Sequence, residues 1–185
     1  MNLLNHSENQ DVNAQEMLRL YSEGKRDFSH VSLVKVCLTN ANLIGAHLTG
    51  AHLVEANLQG SNLTKAHLAQ AKMNQSKLSD TEMINACLID AEMIDSDLSG
   101  ADLRQADLSG ADLSGANLGG ADLRGSILRD VNLSGADLRG ADLTGVSLSK
   151  TNLRGADLKG AYIDESEFQE VERRELGNSN LSISV

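Results

Sequence analysis

Three residues that bind transition metals in proteins recur at a fixed spacing in the first half of this chain. His47, His67 and Cys87 lie twenty residues apart, and Asp107 follows after another twenty. Imidazole nitrogens and a thiolate are ligands of Zn²⁺ and of other late transition metals. They could share a metal only in a fold that returns to the same line every twenty residues. Because such an outward position accepts almost any polar side chain, we expect no resident metal or cofactor and keep these residues as candidates.

A second set of residues at the same spacing consists of carboxylates. Its members are Glu82, Asp102, Asp122 and Asp142. Such a column could supply paired acids for catalysis, or it could imitate the phosphates of a nucleic acid. However, Arg104 and Arg124 each follow an aspartate by two residues, and residues 98–160 carry 8 acidic and 7 basic side chains. This pattern predicts a solvated ladder of neutralised ion pairs.

The segment TEMINACLIDAEMIDS, residues 81–96, combines isoleucines with acidic residues. The isoleucines are Ile84, Ile89 and Ile94, and no Lys or Arg occurs between Asp80 and Asp97. An apolar belt rimmed by acids is typical of a protein–protein contact. We therefore predict a protein-binding surface formed by Ile84, Ile89, Ile94, Asp90, Glu92 and Asp95. The alternative is that β-branched residues merely favour exposed strand positions.

A five-residue repeat determines where these side chains can lie. Every fifth residue from Phe28 to Phe168 is large and apolar, and the residue two positions earlier is usually small. On a helix this spacing would scatter the large residues around the cylinder, and on a flat strand they would alternate between faces. If the chain instead turns a corner in every pentapeptide, all of these centres point into one interior, with Leu108 and Leu118 among them.

The pattern is specific enough to resemble a known family. The stretch ADLRQADLSGADLSGANLGGADLRG is similar to the A(D/N)LXX motif of the pentapeptide repeat family, and the similarity covers residues 26–170. The resemblance implies an all-β fold, a right-handed quadrilateral parallel β-helix with four pentapeptides per coil. It would have about seven coils and a length of roughly 35 Å. The N-terminal sequence before the repeat is most similar to cyanobacterial members.

Both ends of such a solenoid expose apolar interior and need covers. We predict a disordered segment over residues 1–12, an amphipathic capping helix over 13–25, the β-helix over 26–170, and a C-terminal cap and tail over 171–185. Phe28 and Phe168 occupy the first and last centres, where a wider side chain can plug an open end.

The composition limits the function. The net charge of −10, the sequence pI of about 4.8 and the few aromatic residues argue against direct nucleic-acid binding. We expect no membrane association and a cytoplasmic location, because residues 1–10 lack the features of a signal peptide and no long apolar run occurs. A packed rod without a large cleft predicts no enzymatic activity.

The sequence therefore predicts a non-catalytic rigid scaffold that binds an unknown protein partner and could have a regulatory role. We expect the chain to be a monomer or a weak homodimer. Because some members of the family imitate DNA and inhibit DNA gyrase, the resemblance also implies an alternative. In that alternative, the chain is a DNA mimic that inhibits or protects a type II topoisomerase. A metal-binding protein that uses the His and Cys column is the third possibility.

Overall fold

The repeating part of the chain is a parallel β-helix in the computed structural model, which describes residues 13–175. Single-residue bridges join positions twenty apart, beginning with Asp27 and His47 and ending with Asp142 and Tyr162. Among the described residues no strand extends beyond one bridging residue, because the chain turns after each bridge. The bridges form four ladders and hence four faces, named here by their first residues: the Asp27, Ser32, Cys37 and Asn42 faces.

Each corner is closed by a short turn that is bonded to the following coil. In the pentapeptide of Leu33, the Val36 N–H donates to the Leu33 carbonyl over 3.2 Å, and the Lys35 N–H donates to Val54 of the next coil over 2.9 Å. Lys35 has a φ of 58°. The equivalent residue has positive φ in every pentapeptide from His30 to Gly160 except that of Lys150. Glycine is frequent there because it has no Cβ to oppose this conformation.

The interior consists of stacked leucines and small residues. Phe28, Leu108 and Leu118 are each no more than 2% exposed. Where Thr81 or Ser96 replaces the small alanine, its hydroxyl donates to a carbonyl three residues earlier, over 2.7 Å in both cases. The buried hydroxyls of Ser61, Ser76 and Ser126 occupy the same position without a hydrogen-bond partner among the described residues, so this position also tolerates an unsatisfied hydroxyl.

Helix α1, Ala14–Ser22, covers the first coil. The side chain of Asn13 accepts a hydrogen bond from the Glu16 N–H and caps the start of the helix. Met17 is fully buried, and Leu20 and Tyr21 pack against the core. The Tyr21 hydroxyl also donates to the Ile44 carbonyl over 2.8 Å, which satisfies an acceptor at the end of the stack. The predicted disordered segment 1–12 lies outside the described residues.

Helix α2, Glu165–Glu175, covers the last coil and corrects one prediction. Phe168 is not a coil centre: it lies in α2 and is only half-buried. The β-helix therefore ends before residue 170, because the Glu- and Arg-rich segment favours a helix and places Glu165 and Glu167 in its first turn. The Glu167 carboxylate accepts a hydrogen bond from the Leu148 N–H over 2.8 Å and so takes the place of the backbone carbonyl that a further coil would supply. Residues 176–185 of the predicted cap and tail, 171–185, lie outside the described range.

The last coil separates from its neighbour on the Asp27 face. Over the described residues, Ile127 and Ser147 form no bridge, and no backbone carbonyl accepts from the N–H of Leu128 or Ser147. A cleft of about 500 Å³ opens there. Its lining consists of Gly125, Ser126, Ile127, Leu128, Arg129, Gly145, Ser147, Ser149 and Lys150.

The buried centres make a direct prediction about stability. Leu118→Ala should lower the free energy of unfolding by about 2–5 kcal/mol, because it removes buried methyl groups and leaves a cavity. Ser114→Ala, at a partly exposed corner four residues earlier, should change it by less than about 0.5 kcal/mol. Urea unfolding of both variants measures the difference. Equal effects would show that the centres do not form the core.

Candidate functional site

The three isoleucines of the predicted belt occupy three successive corners of one turn of the coil. Ile84, Ile89 and Ile94 each follow a fully buried centre, so their side chains start from the surface. All three are half-buried rather than freely exposed. The Ile94 N–H also donates to the Asn74 side chain of the preceding coil over 2.9 Å, which fixes that corner. The isoleucines therefore lie on a rigid backbone, one at each of three successive corners of the same coil.

Acidic side chains surround these corners without cationic partners. Among the described residues, no Lys, Arg or His nitrogen lies within 4 Å of their carboxylates. Lys72 and Lys77 precede Glu92 and Asp97 in their ladders but form no ion pair with them. The set consists of Asp80, Glu82, Asp90, Glu92, Asp95 and Asp97. This part of the surface therefore carries concentrated negative charge.

Some of these carboxylates are positioned by glycines of the next coil, a feature that we did not predict. The side chains of Asp90 and Asp95 lie against Gly110 and Gly115, in the space that a Cβ would occupy. The acid and the glycine are twenty residues apart, so the pairing could have been found by comparing corner positions at that spacing. Each glycine thus lets a carboxylate lie along the corner of the rod.

The acidic column on the Asn42 face is neutralised by arginines, and the predicted ion-pair ladder is confirmed. Arg104 lies 2.6 Å from Asp102 and 3.6 Å from Asp122, and Arg124 repeats the arrangement with Asp122 and Asp142. Hydrogen bonding from Arg124 holds the pKa of the Asp122 carboxyl below its ordinary value. Because each arginine links two coils, this surface does not present an uninterrupted row of negative charges.

The candidate metal ligands form a ladder but not a metal-binding cluster. His47 bridges to His67, and His67 bridges to Cys87, so the predicted column exists. The two imidazole rings meet edge to face, with centroids 4.7 Å apart. Within residues 13–175, no group of three or more His, Cys, Asp or Glu side chains has an arrangement that could hold a metal ion.

The two cysteines lie on opposite faces and are unbridged. Cys37 belongs to the Cys37 face and Cys87 to the Asp27 face, ten positions around the coil from each other. A hydrogen bond between the Cys37 thiol and Thr39, 3.3 Å long, lowers the pKa of that thiol. Their placement excludes a disulfide between them by distance.

The arginine ladder should make stability depend on pH. The pKa of Asp122 is lower in the folded chain, so its ion pair stabilises the fold above the ordinary Asp pKa of about 3.9. That contribution is lost as the pH falls through the folded-state pKa. Arg124→Gln should therefore lower the free energy of unfolding slightly at pH 7, with a difference from wild type that shrinks between about pH 5 and about pH 2.

Urea unfolding across this pH range measures the effect. Arg129→Gln is the matched control, because Arg129 forms no ion pair among the described residues. A penalty for Arg124→Gln that stayed constant down to low pH would contradict an electrostatic origin.

Comparisons with known proteins agree with this architecture. The model of the family "Pentapeptide repeats" matches eight copies in four overlapping ranges, 41–80, 61–100, 91–130 and 126–164. A pentapeptide repeat protein from the thylakoid lumen of Arabidopsis thaliana, AT2G44920, is 26% identical. The match covers 70% of this chain and 90% of that one, with a TM-score of 0.53. Relatives of this kind are right-handed β-helices.

Two cyanobacterial proteins are also similar. HetL of Nostoc sp. strain PCC 7120, a pentapeptide repeat protein involved in the regulation of heterocyst differentiation, is 28% identical over 83% of this chain and 98% of its own, with a TM-score of 0.49. The Synechocystis protein slr1851 is 62% identical over 32 residues. That match spans 17% of this chain and only 20% of the relative.

Among the described residues, no helix has the length and apolarity needed to cross a membrane. Because the family model covers well over half of its length, this chain belongs to the pentapeptide repeat family.

Proposed function

We propose that the chain is a non-catalytic, rigid scaffold that binds another protein through the turn of the coil at residues 80–98. The observation that carries this proposal is the coincidence, on one turn, of three isoleucine corners with acidic side chains that have no ion-pair partner. Apolar side chains framed by unpaired charge are typical of a specific protein contact, in which the apolar part supplies affinity and the charges supply orientation.

The rest of the rod supports this choice by contrast. On the following coils three outward aspartates each form an ion pair with an arginine of the same face: Asp102, Asp122 and Asp137. A surface whose charges already pair with each other offers little to a partner. Ile44, at the same corner as Ile84 but two coils earlier, is 42% exposed, with Thr64 between the two isoleucines.

A non-catalytic role is supported by the chemistry of the cleft near the C-terminal end. The ionisable side chains of its lining are those of Arg129 and Lys150, so the cleft holds no carboxylate, imidazole or thiol for acid–base or nucleophilic chemistry. We place the protein in the cytoplasm, because a reducing compartment protects its two solvent-accessible thiols from oxidation.

Substitution of a belt residue tests the binding surface. Ile89→Asp should reduce recovery of the partner from a native extract about tenfold or more, because it places a charge in the apolar contact. Thr144→Asp, at the exposed corner three coils beyond Ile84, is the control and should leave recovery unchanged. Quantitative mass spectrometry of the captured proteins measures both. Unchanged recovery with Ile89→Asp, in a variant that keeps the wild-type melting temperature, would contradict the proposal.

A gyrase assay separates this function from the DNA-mimic alternative. Purified protein added to DNA gyrase should leave supercoiling unchanged, because Arg104 and Arg124 neutralise the carboxylates that would imitate phosphates. Inhibition, or protection of the enzyme from a quinolone, would favour the mimic. Arg104→Gln/Arg124→Gln, which exposes the acidic column, is an informative comparison.

A further inference from the structure

Charge is segregated along the rod rather than balanced within each coil. Residues 24–79 contain six Lys or Arg and two acidic residues, together with all four histidines of the described chain. Residues 80–97 contain six acidic residues and no Lys, Arg or His. The boundary between a cationic and an anionic band therefore lies between two neighbouring coils.

The Ser32 face shows this inversion most sharply. Its ladder runs through Ser32, His52, Lys72, Glu92, Asp112 and Asn132, each bridged to the next. Lys72 and Glu92 are exposed, and His52 and Asp112 are half-exposed. None of these four makes an ion pair with any described residue, although Lys72 and Glu92 are adjacent. The Asp112 carboxylate accepts hydrogen bonds at Oδ1 from the Ser114 N–H and the Asn132 amide.

One corner beside this face repeats the inversion. The His30 imidazole lies over Gly50, so it sits at the level of His52. The Asp90 carboxylate lies over Gly110, at the level of Asp112. Both glycines leave room for the side chain of the preceding coil, and the corner presents an imidazole on one coil and a carboxylate three coils later.

The opposite corner follows the same rule. Lys35 reaches toward the next coil and lies 3.3 Å from Glu55, which is also at the level of His52. The Asp95 carboxylate lies over Gly115, at the level of Asp112. Glu55 partly offsets the lysine at this corner. A row of two imidazoles and a paired lysine on one coil therefore faces the same direction as an acidic row three coils later.

We propose that the Ser32 face binds a second copy of this chain, antiparallel and related by a twofold axis that passes between Lys72 and Glu92. In this register Lys72 lies opposite Glu92 of the second copy, and His52 lies opposite its Asp112. At the corners, His30 lies opposite the second copy's Asp90, and the Lys35–Glu55 ion pair lies opposite its Asp95, so that this second corner adds no net attraction. The twofold axis makes every contact twice, as in any isologous dimer.

Other arrangements of the same face bring like charges together. A twofold axis through Lys72 places that residue against itself, and an axis through Glu92 does the same for the carboxylate. A parallel pair opposes each residue of the ladder to its own copy, so that Lys72 meets Lys72 and Glu92 meets Glu92. Like charges directly opposite each other are unfavourable across an interface, so the charge pattern selects the antiparallel register.

The proposal rests on the proposed function, because it names the partner of part of the same surface. Ile89 and Ile94 flank the Ser32 face and would lie against Ala69 and Asn74 of the second copy. The contact runs from Ser32 to Asn132, about 24 Å at the spacing of β-ladders. A contact of this length is at the lower end of interface sizes, so we expect a dimer with micromolar affinity.

Charge reversal on the Ser32 face tests the dimer. Sedimentation equilibrium of the full chain, from about 1 μM to about 500 μM, should show a reversible dimer. Lys72→Glu and Glu92→Lys should each raise the dissociation constant about tenfold or more, because each opposes like charges twice. The double variant Lys72→Glu/Glu92→Lys should restore the affinity to within about threefold. Lys77→Glu, on the same coil but on the Cys37 face, should have no effect.

A cross-link tests the register independently. In a Cys37→Ser/Cys87→Ser background, Thr49→Cys/Ser109→Cys should give disulfide-linked dimers on mild oxidation, because these corner positions lie opposite each other between copies. Within one chain they are three coils apart, about 14 Å, which is beyond the reach of a disulfide. Thr49→Cys alone should give no cross-link.

The outcomes separate this proposal from the proposed function. A wild-type chain that is monomeric over the whole concentration range, or a double charge variant that stays monomeric, would overturn the dimer. If Ile89→Asp still abolished recovery of a different protein, the scaffold function would stand without it. Dissociation by Lys77→Glu would place the contact on another face and would equally overturn the proposal.

Discussion

A single backbone conformation, repeated at one residue in five, determines the rest of this molecule. The left-handed residue after each centre turns the chain through a corner and points its N–H at a carbonyl of the next coil, as Lys35 does with Val54. Without that turn, a five-residue spacing would distribute the leucines over opposite sides of any regular element. With it, each centre enters one interior, and each outward residue stands in line with the residue twenty positions later.

This regularity makes the surface a lattice in which neighbours are set by spacing. A side chain meets the residue two positions on, as Asp102 meets Arg104, and the residue one coil away, as Arg104 meets Asp122. Ion pairs can therefore close within a face, as they do along the Asn42 face of the C-terminal coils. Where the sequence omits arginine, as in the turn at residues 81–100, carboxylates remain available and the corners carry isoleucine. We infer that binding surfaces on such a rod lie where the outward side chains do not form ion pairs with each other.

Much of this could be predicted from the sequence because the repeat has few degrees of freedom. The family and the arginine ladder follow from motif and spacing alone. Phe168 was assigned wrongly because its register continues the repeat, whereas the helix-forming residues around it and the need to cover the last coil favour α2. The packing of Asp90 on Gly110 was not predicted, because it depends on side-chain direction at a corner, which spacing does not specify.

The missing bridge between Ile127 and Ser147 has a consequence for how the rod unfolds. In a solenoid each coil is held only by its neighbours, so the free energy of opening is local. The final coil has lost contacts on one side and relies on α2, including the carboxylate of Glu167 on Leu148, to stay closed. Amide hydrogens there should exchange with solvent ahead of those in the middle of the stack, so that the molecule frays from its C-terminal end inward.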